Sequence, residues 1–137
     1  MKAITNYLNF DGNTRDAMTF YAKCLDADLN IQSFRDAKIP GPEGSEDRII
    51  HARLSKGSAI LMASDTMPGS PFTQGNNFFV CIDCEGREET EALFKALGAG
   101  GKVMMELQDT FWGAYFGMLT DKYGVGWMFN HELPKQS

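Results

Sequence analysis

A histidine and an arginine two residues apart, His51 and Arg53, form the best polar pair in the sequence. They belong to a β-rich run over 48–54, and residues i and i+2 of a strand point to the same face. An imidazole can act as a general acid or base near neutral pH, and a guanidinium can clamp a carboxylate or phosphonate. The alternative is structural: the histidine hydrogen-bonds a neighbouring strand or solvent, and the arginine is simply exposed.

The end of the chain offers a carboxylate and several aromatic rings. Glu106 ends a predicted strand just before the segment QDTFWGAY, where it could reach a ligand, so it is the second candidate catalytic residue beside His51. Trp112 and Tyr115, with Phe111 and Trp127 nearby, are candidates for an apolar wall around a ligand. Core packing explains Trp127 at least as well.

The cysteines Cys24, Cys81 and Cys84 are an odd number in a chain without an export signal, so we expect reduced thiols and no disulfide. The Cys81-x-x-Cys84 spacing is that of redox and zinc motifs. However, residues three apart on a strand point to opposite faces, and zinc needs a further ligand pair that is missing from the sequence. We expect ordinary buried or half-buried thiols.

The first half of the chain predicts the order strand, helix, strand, strand, strand. The predicted elements are a strand over 2–10, a helix that Asn13 caps, a strand around Leu29 and Ile31, a loop up to 48, and hairpin strands over 48–54 and 58–63. With Lys56-Gly57 as the turn, Leu54 pairs with Ala59 and His51 with Met62. One hairpin face is then apolar, and the other carries the polar pair.

The second half predicts the same order again. Its elements are a strand over 76–83, a helix over 87–97 that Gly98 ends, and strands over 102–107, 115–120 and 126–131. We therefore predict an α+β fold of two tandem βαβββ modules in a single domain 1–137. Module one covers about 1–64, a linker about 65–75, and module two about 76–132.

The composition excludes several classes of function. A length of 137 residues, 43% of them hydrophobic, fits one domain with one core. The net charge of -5, with charges of both signs interspersed, argues against a nucleic-acid partner. The sequence has no run long enough to span a membrane and no cleavable leader, so we expect a cytoplasmic protein without membrane contact.

Three segments carry a family resemblance: YLNFDGNTRDAMTFYAKCLDADL, HARLSKGSAILMASD and TFWGAYFGMLTDKYGVGWMFN. In order and spacing they resemble the PhnB-like branch of the vicinal oxygen chelate superfamily, which includes glyoxalase I, extradiol dioxygenases and bleomycin resistance proteins. The resemblance spans nearly the whole chain. It implies that the modules form a curved mixed sheet around a small-molecule cavity and that the protein is a homodimer.

Metal-using members of that superfamily place two ligands on each module, typically His, Gln or Glu. The resemblance puts these positions on Asn6, Met62, Asn77 and Met128. Amides and thioethers are poor ligands for Zn, Ni, Fe or Mn, although thioethers suit soft Cu(I). We expect no usual divalent metal and no cofactor, with these four residues lining the cavity; an unorthodox metal site is the alternative.

Proteins of this branch have been labelled 3-demethylubiquinone methyltransferases, an activity that needs S-adenosylmethionine. A nucleotide usually binds a glycine-rich turn between a strand and a helix N-terminus, whereas the cluster Gly98-Ala99-Gly100-Gly101 follows a predicted helix. We therefore expect no methyltransferase.

Three functions remain open at this stage. The first is a metal-independent protein that binds a small, partly aromatic or anionic molecule in the cavity. The predicted ligand-binding residues are Asn6, His51, Arg53, Met62, Asn77, Trp112, Tyr115 and Met128. The second is a glyoxalase- or dioxygenase-like lyase, isomerase or oxygenase, with a metal elsewhere or with His51 and Glu106 as acid and base. The third is a partner-binding protein whose cavity has closed.

Overall fold

The chain has two compact units, Met1–Thr73 and the residues from Gln74 onward. The structure is a computed structural model, and it describes residues 1–135. Each unit contains one helix of 12 residues and one four-stranded mixed sheet. The predicted α+β fold of two tandem βαβββ modules is confirmed.

The first unit is built from five main elements and one short helix. They are β1 (Asn6–Phe10), α1 (Thr14–Leu25), β2 (Asp28–Ser33), α2 (Phe34–Ala37), β3 (Ile49–Lys56) and β4 (Ala59–Asp65). The strand order is β1-β4-β3-β2; β1 runs parallel to β4, and the other two pairs are antiparallel. Because β1 and β4 are parallel, the chain crosses over between them, and α1 lies in this connection. The first strand of the unit therefore lies next to the last.

Strict alternation of side chains gives this sheet a buried face and an open face. The hairpin buries Ala52, Leu54, Leu61 and Ala63. The helix contributes the fully buried side chains of Ala17, Met18 and Tyr21 to the same core. The sequence prediction of one apolar hairpin face is confirmed, because the period-two pattern fixes the face even where the exact pairing is not known.

The predicted register of this hairpin is wrong by two residues. The turn residues are Gly57 and Ser58, so Leu54 pairs with Leu61 and Arg53 with Met62. Gly57 has φ 58° and is the first of the two turn residues, the position at which a type II′ turn requires positive φ. A shift of two leaves every side chain on its predicted face.

The start of α1 is capped differently from the prediction. The side chain of Asn13 makes no capping hydrogen bond. Asp65, the last residue of β4, takes over this role: its Oδ1 accepts from the backbone N of Gly12 and Thr14 at 3.0 and 3.1 Å and from Thr14 Oγ1 at 2.6 Å. Its Oδ2 accepts from Ile49 N at 2.7 Å. One buried carboxylate therefore joins α1, β3 and β4.

Several predicted boundaries also change. The first strand begins at Asn6 rather than at residue 2, and β4 extends to Asp65, into the predicted linker. The predicted loop contains α2, where Ser33 and Asp36 form a capping box with each other's backbone amides. That pairing satisfies two amides of the first helical turn, which favours a helix even in a short segment.

The second unit repeats the pattern. Its elements are β5 (Phe79–Asp83), α3 (Arg87–Gly98), β6 (Lys102–Asp109), β7 (Ala114–Thr120) and β8 (Gly126–Glu132), with strand order β5-β8-β7-β6. The predicted strand over 76–83 starts only at Phe79. Gly98 is the last residue of α3 rather than the stop, and Gly100, with φ 75°, adopts the left-handed conformation after it.

The core of the second unit centres on Trp127, which is 1% exposed. Its Nε1 donates to Asp121 Oδ2 at 2.7 Å, and Asp121 Oδ1 accepts from the amides of Tyr123 and Val125. Trp127 therefore belongs to the core. Across residues 1–135, no helix has the length and apolar character that crossing a membrane requires.

Candidate functional site

The open face of the first sheet carries mainly polar side chains. These side chains alternate along each strand with the buried ones, and the pairing of the strands places them next to one another across the sheet. From β1 to β2 they are Tyr7 and Asn9, then Ile60, Met62 and Ser64, then His51, Arg53 and Ser55, then Asp28, Asn30 and Gln32. This face joins groups from four strands that are distant in sequence.

Tyr7 and His51 contact each other across this face. Tyr7 Oη lies 3.3 Å from His51 Nδ1, and the two rings are stacked with centroids 6.0 Å apart and an interplanar angle of 29°. The phenol donates to Nδ1 when that nitrogen carries no proton. The contact spans β4, which lies between the strands of the two residues. The phenol and the imidazole therefore form a hydrogen-bonded pair above the middle of the sheet.

Arg53 is an exposed residue, and strand pairing places it next to this pair on the same face. Its Cα partners are Asn30 on β2 and Met62 on β4. Within residues 1–135 it takes part in no ion pair. The ion-paired arginines are Arg35, Arg48 and Arg87. The predicted neighbourhood of His51, Arg53 and Met62 on one face is therefore present.

Two residues predicted beside the methionines lie elsewhere. Asn6 pairs with Leu61, and so falls in the row of the buried Leu8 on the helix-covered face. Asn77 is exposed and precedes β5, on no strand. The first strands of the two units have only five residues each, and a shift of one residue along such a strand changes the face. The residues that pair with Met62 and Met128 on the first strands are Tyr7 and Cys81.

These donors do not fit the divalent metal that the fold implies. A phenol already bonded to an imidazole, two thioethers and a protonated thiol are poor ligands for Zn, Ni, Fe or Mn, which prefer imidazole and carboxylate groups. In the described part of the chain, no three His, Cys, Asp or Glu residues are grouped so that they could hold a metal.

Aromatic rings lie at the β6–β7 turn of the second unit. Trp112 is 56% exposed and makes edge contacts with Phe111 and with Phe116, at centroid distances of 5.0 and 5.8 Å. Phe116 is on the open face of this sheet, because its neighbour Gly117 faces Phe94 of α3 and Leu107. Trp112 thus extends this open face, and its role in an apolar wall around a ligand stays a prediction.

Tyr115, the other predicted wall residue, points to the opposite side. Its ring stacks under the guanidinium of Arg87, 4.5 Å from the centroid, and its hydroxyl donates to Glu91 Oε1 at 3.0 Å. Both partners belong to α3. Burial, together with the hydrogen bond and charge of Glu91, raises the pKa of the Tyr115 hydroxyl. These contacts tie β7 to the start of α3 and keep Tyr115 away from Phe116.

Glu106, the predicted second acid or base, is an exposed residue of β6. It lies in an irregularity of the β6–β7 register, where two residues of β6, Glu106 and Leu107, lie opposite the single residue Gly117 of β7. Its backbone carbonyl accepts from Gln108 at 3.5 Å. His51 belongs to the first unit, so the acid–base pairing of these two residues stays a prediction.

The cysteines differ in their surroundings. Cys24 is half-buried, Cys84 is buried, and Cys81 is exposed, contrary to the prediction of buried or half-buried thiols. Burial raises the pKa of both Cys84 and Cys81, and the charge of Asp83 adds to the effect at Cys81. Both thiols therefore stay protonated near neutral pH.

Comparison with known proteins decides the family. A sequence model described as 3-demethylubiquinone-9 3-methyltransferase matches residues 2–129. The solved structure of the PhnB protein of Bacillus cereus is 30% identical, with a TM-score of 0.77 over 95% of this chain and 99% of that one. The chain belongs to this PhnB-like family. The resemblance inferred from the sequence is therefore confirmed.

Other proteins are similar over nearly the whole chain. Protein YjdN of Escherichia coli K12 is 34% identical over 93% of each chain. Protein PA1353 of Pseudomonas aeruginosa is 40% identical, with a TM-score of 0.87 over 98% of this chain and all of that one. Solved glyoxalase/bleomycin resistance/dioxygenase proteins at 19% and 12% identity share the fold, with TM-scores of 0.65 and 0.69.

Proposed function

We propose that this PhnB-like protein binds a small molecule through an anionic group, on the open face of its first sheet and without a divalent metal. The observation that carries the proposal is the position of Arg53 beside the hydrogen-bonded pair Tyr7 and His51. Within residues 1–135, the guanidinium of Arg53 has no ion-pair partner. An unpaired guanidinium on a face built from four strands favours anion recognition over a structural role.

The chemistry of the neighbours fits a carboxylate or phosphonate. A guanidinium binds two oxygens of such a group at once, which fixes orientation as well as charge. The imidazole and phenol can donate to further oxygens. Met62 and Ile60, both half-buried in the adjoining strand, offer apolar contact to the remainder of the ligand. Asp28 is the carboxylate on this face, and it pairs with Ser55 rather than with Arg53.

Methyl transfer, the activity in the description of the family, is not part of the proposal. It would require a site for S-adenosylmethionine, whose binding usually uses the amides of a glycine-rich helix N-terminus. The glycines Gly98, Gly100 and Gly101 lie at the C-terminal end of α3, where carbonyl groups are exposed and the helix dipole is negative. That end disfavours an anionic or nucleotide ligand.

Thermal-shift measurements with three matched probes test the proposal: benzoate, phenylphosphonate and uncharged benzamide. Ligands that bind only the folded protein raise its melting temperature. We expect benzoate or phenylphosphonate, but not benzamide, to raise the melting temperature of chelator-treated protein. The shift should disappear in Arg53→Gln and persist in the control Arg35→Gln, which removes an exposed, ion-paired arginine.

The same assay includes the competing function, a metal-dependent lyase, isomerase or oxygenase. A shift with Zn²⁺, Ni²⁺, Mn²⁺ or Fe²⁺ that is needed for probe binding would favour the enzyme and contradict the proposal. An equal response of Arg53→Gln and the native chain to the anionic probes would also contradict it. Two sequence expectations stay predictions: cytoplasmic location and a homodimer, the latter to be checked by light scattering.

A further inference from the structure

Sulfur-bearing side chains form a row across the open face of the second sheet. Cys81 of β5 is the Cα partner of Met128 on β8, and Met128 is in turn the Cα partner of Met118 on β7. Three adjacent strands therefore place a thiol and two thioethers next to one another. All three residues belong to the second unit, so the inference does not rest on the anion site proposed for the first.

The three side chains share one face of the sheet. The residues that alternate with them, Val80, Trp127 and Leu119, are buried on the helix-covered side. Directly opposite residues on neighbouring strands have Cβ atoms about 5 Å apart, close to the strand spacing itself. A methionine has three rotatable bonds, so its sulfur can turn towards a neighbour at that distance.

The row is accessible and its thiol is free. Cys81 is exposed, and Met118 and Met128 are half-buried. A fourth sulfur lies nearby: Met104 Sδ accepts from the hydroxyl of Thr120 at 3.2 Å, and Thr120 follows Met118 by two residues on the same face of β7. Asp83, two residues beyond Cys81, accepts from Asn130 Nδ2 at 3.1 Å and adds a negative charge to the same face.

We propose that Cys81, Met128 and Met118 form a binding site for a soft monovalent metal ion, Cu(I) or Ag(I). Thiolate and thioether sulfur are the ligands that soft ions prefer, and a linear or trigonal set of two or three sulfurs satisfies such an ion. On binding, the Cys81 thiol releases its proton to solvent and its sulfur becomes the charged ligand. Hard divalent ions gain little from thioethers, which makes the site selective.

The competing explanation is that the methionines only form an apolar surface for an organic ligand, as the nearby Trp112 and Phe116 would favour. The two explanations differ in the role of the cysteine. An apolar surface tolerates Cys81→Ser and methionine-to-leucine changes, whereas a metal site loses a ligand in each case. Anaerobic competition between the protein and a chromophoric Cu(I) chelator therefore separates them.

Five variants are compared in this titration with the native chain: Cys81→Ser, Met128→Leu, Met118→Leu, and the matched controls Cys24→Ser and Met67→Leu, the latter a half-buried methionine outside the strands. The native chain should withdraw one equivalent of Cu(I) from the chelator. Cys81→Ser should weaken Cu(I) binding at least about 100-fold, and Met128→Leu about 10-fold. The reference is the loss of a residue that only supports a metal ligand, which itself weakens metal binding about 10–100-fold. Met118→Leu should weaken it less, and neither control should change it.

Circular dichroism of each variant checks that the fold is retained, and Ag(I) provides a second ion without redox chemistry. No withdrawal of Cu(I) from the chelator would overturn the proposal. Binding that depends on Cys81 but is unchanged in both Met128→Leu and Met118→Leu would also overturn it, because it would indicate an adventitious exposed thiol. Equal losses in the controls would show that the assay reports general sulfur content.

Discussion

Asp65 offers the sharpest test of how the first unit is held together. This residue is 7% exposed, and its carboxylate accepts hydrogen bonds from the backbone amides of Gly12, Thr14 and Ile49. Replacement by alanine leaves these amides without their acceptor, and two of them belong to residues that are 0% and 1% exposed. We predict that Asp65→Ala strongly destabilises the fold.

The expected size follows from the number of unpaired donors. A buried donor that loses its partner costs about 1–3 kcal/mol, so the two amides of the fully buried residues suggest a loss of about 2–6 kcal/mol. Asp65→Asn keeps the shape and the Oδ1 acceptor but removes the charge and points an amide group at Ile49 N. We expect a loss of about 2 kcal/mol for that variant, at the lower end of the range for Asp65→Ala. Both values are large beside a typical domain stability of about 5–15 kcal/mol.

Urea unfolding followed by far-ultraviolet circular dichroism measures these losses, with unchanged slope as the sign that stability alone has changed. Asp47→Asn is the matched control, since Asp47 pairs with Arg35 at the surface and exposed pairs contribute little. The control should stay within about 0.5 kcal/mol of the native chain. If Asp65→Asn also stayed within that range, the carboxylate would not be the link between α1, β3 and β4.

Three further outcomes are expected from local geometry. The hydrogen bond and charge of Arg48 lower the pKa of Asp11. The ionised Asp11 therefore stabilises the fold above the unfolded pKa, and this stabilisation is lost as the pH falls below about 4. In Asp11→Asn, unfolding measured against pH should lack this part of the loss of stability in acid. Because the pKa of Cys81 is raised, its iodoacetamide alkylation, measured by mass spectrometry, should be slow at pH 7 and accelerate only in alkaline solution. A Cβ at Gly101 would collide with the backbone at the end of β7, so Gly101→Ala should lower the free energy of unfolding by more than about 1 kcal/mol. Gly86 has open space around the position of a Cβ, so Gly86→Ala should change the free energy of unfolding little in the same urea assay.

The fold followed from the sequence because period-two and helical patterns repeat in both halves. The apolar face of the β3–β4 hairpin was predicted from Ala52, Leu54, Ala59 and Leu61, and it survived a two-residue error in register, although Ala59 itself is exposed. The error itself came from the turn: Lys56-Gly57 and Gly57-Ser58 both place glycine in a two-residue turn, and only the sign of φ at its first position separates them.

The site was harder to predict because it depends on contacts between distant strands. His51, Arg53 and Met62 are near neighbours in the hairpin, so local pairing was enough to bring them together. Tyr7 was missed, since it joins them only through the parallel pairing of β1 with β4. A five-residue strand such as NYLNF gives too few alternations to decide which side chains face outward.

The buried aspartates were also missed. Asp65 and Asp121 look like ordinary polar residues at strand ends, although each accepts hydrogen bonds from several backbone amides. One usable signal was present: each follows a strand with alternating apolar residues at the position where an apolar residue is due. A carboxylate at such a position indicates a buried group with backbone donors around it.

The central claim is that the first sheet binds an anionic ligand through Arg53 without a divalent metal. Calorimetric titration of chelator-treated protein with phenylphosphonate tests it most directly, in parallel for the native chain and for Arg53→Gln. The account predicts saturable binding that is unchanged when Zn²⁺, Ni²⁺ or Mn²⁺ is added and that is lost in Arg53→Gln. Binding that appears only after a metal is added, or that Arg53→Gln retains, would contradict the account.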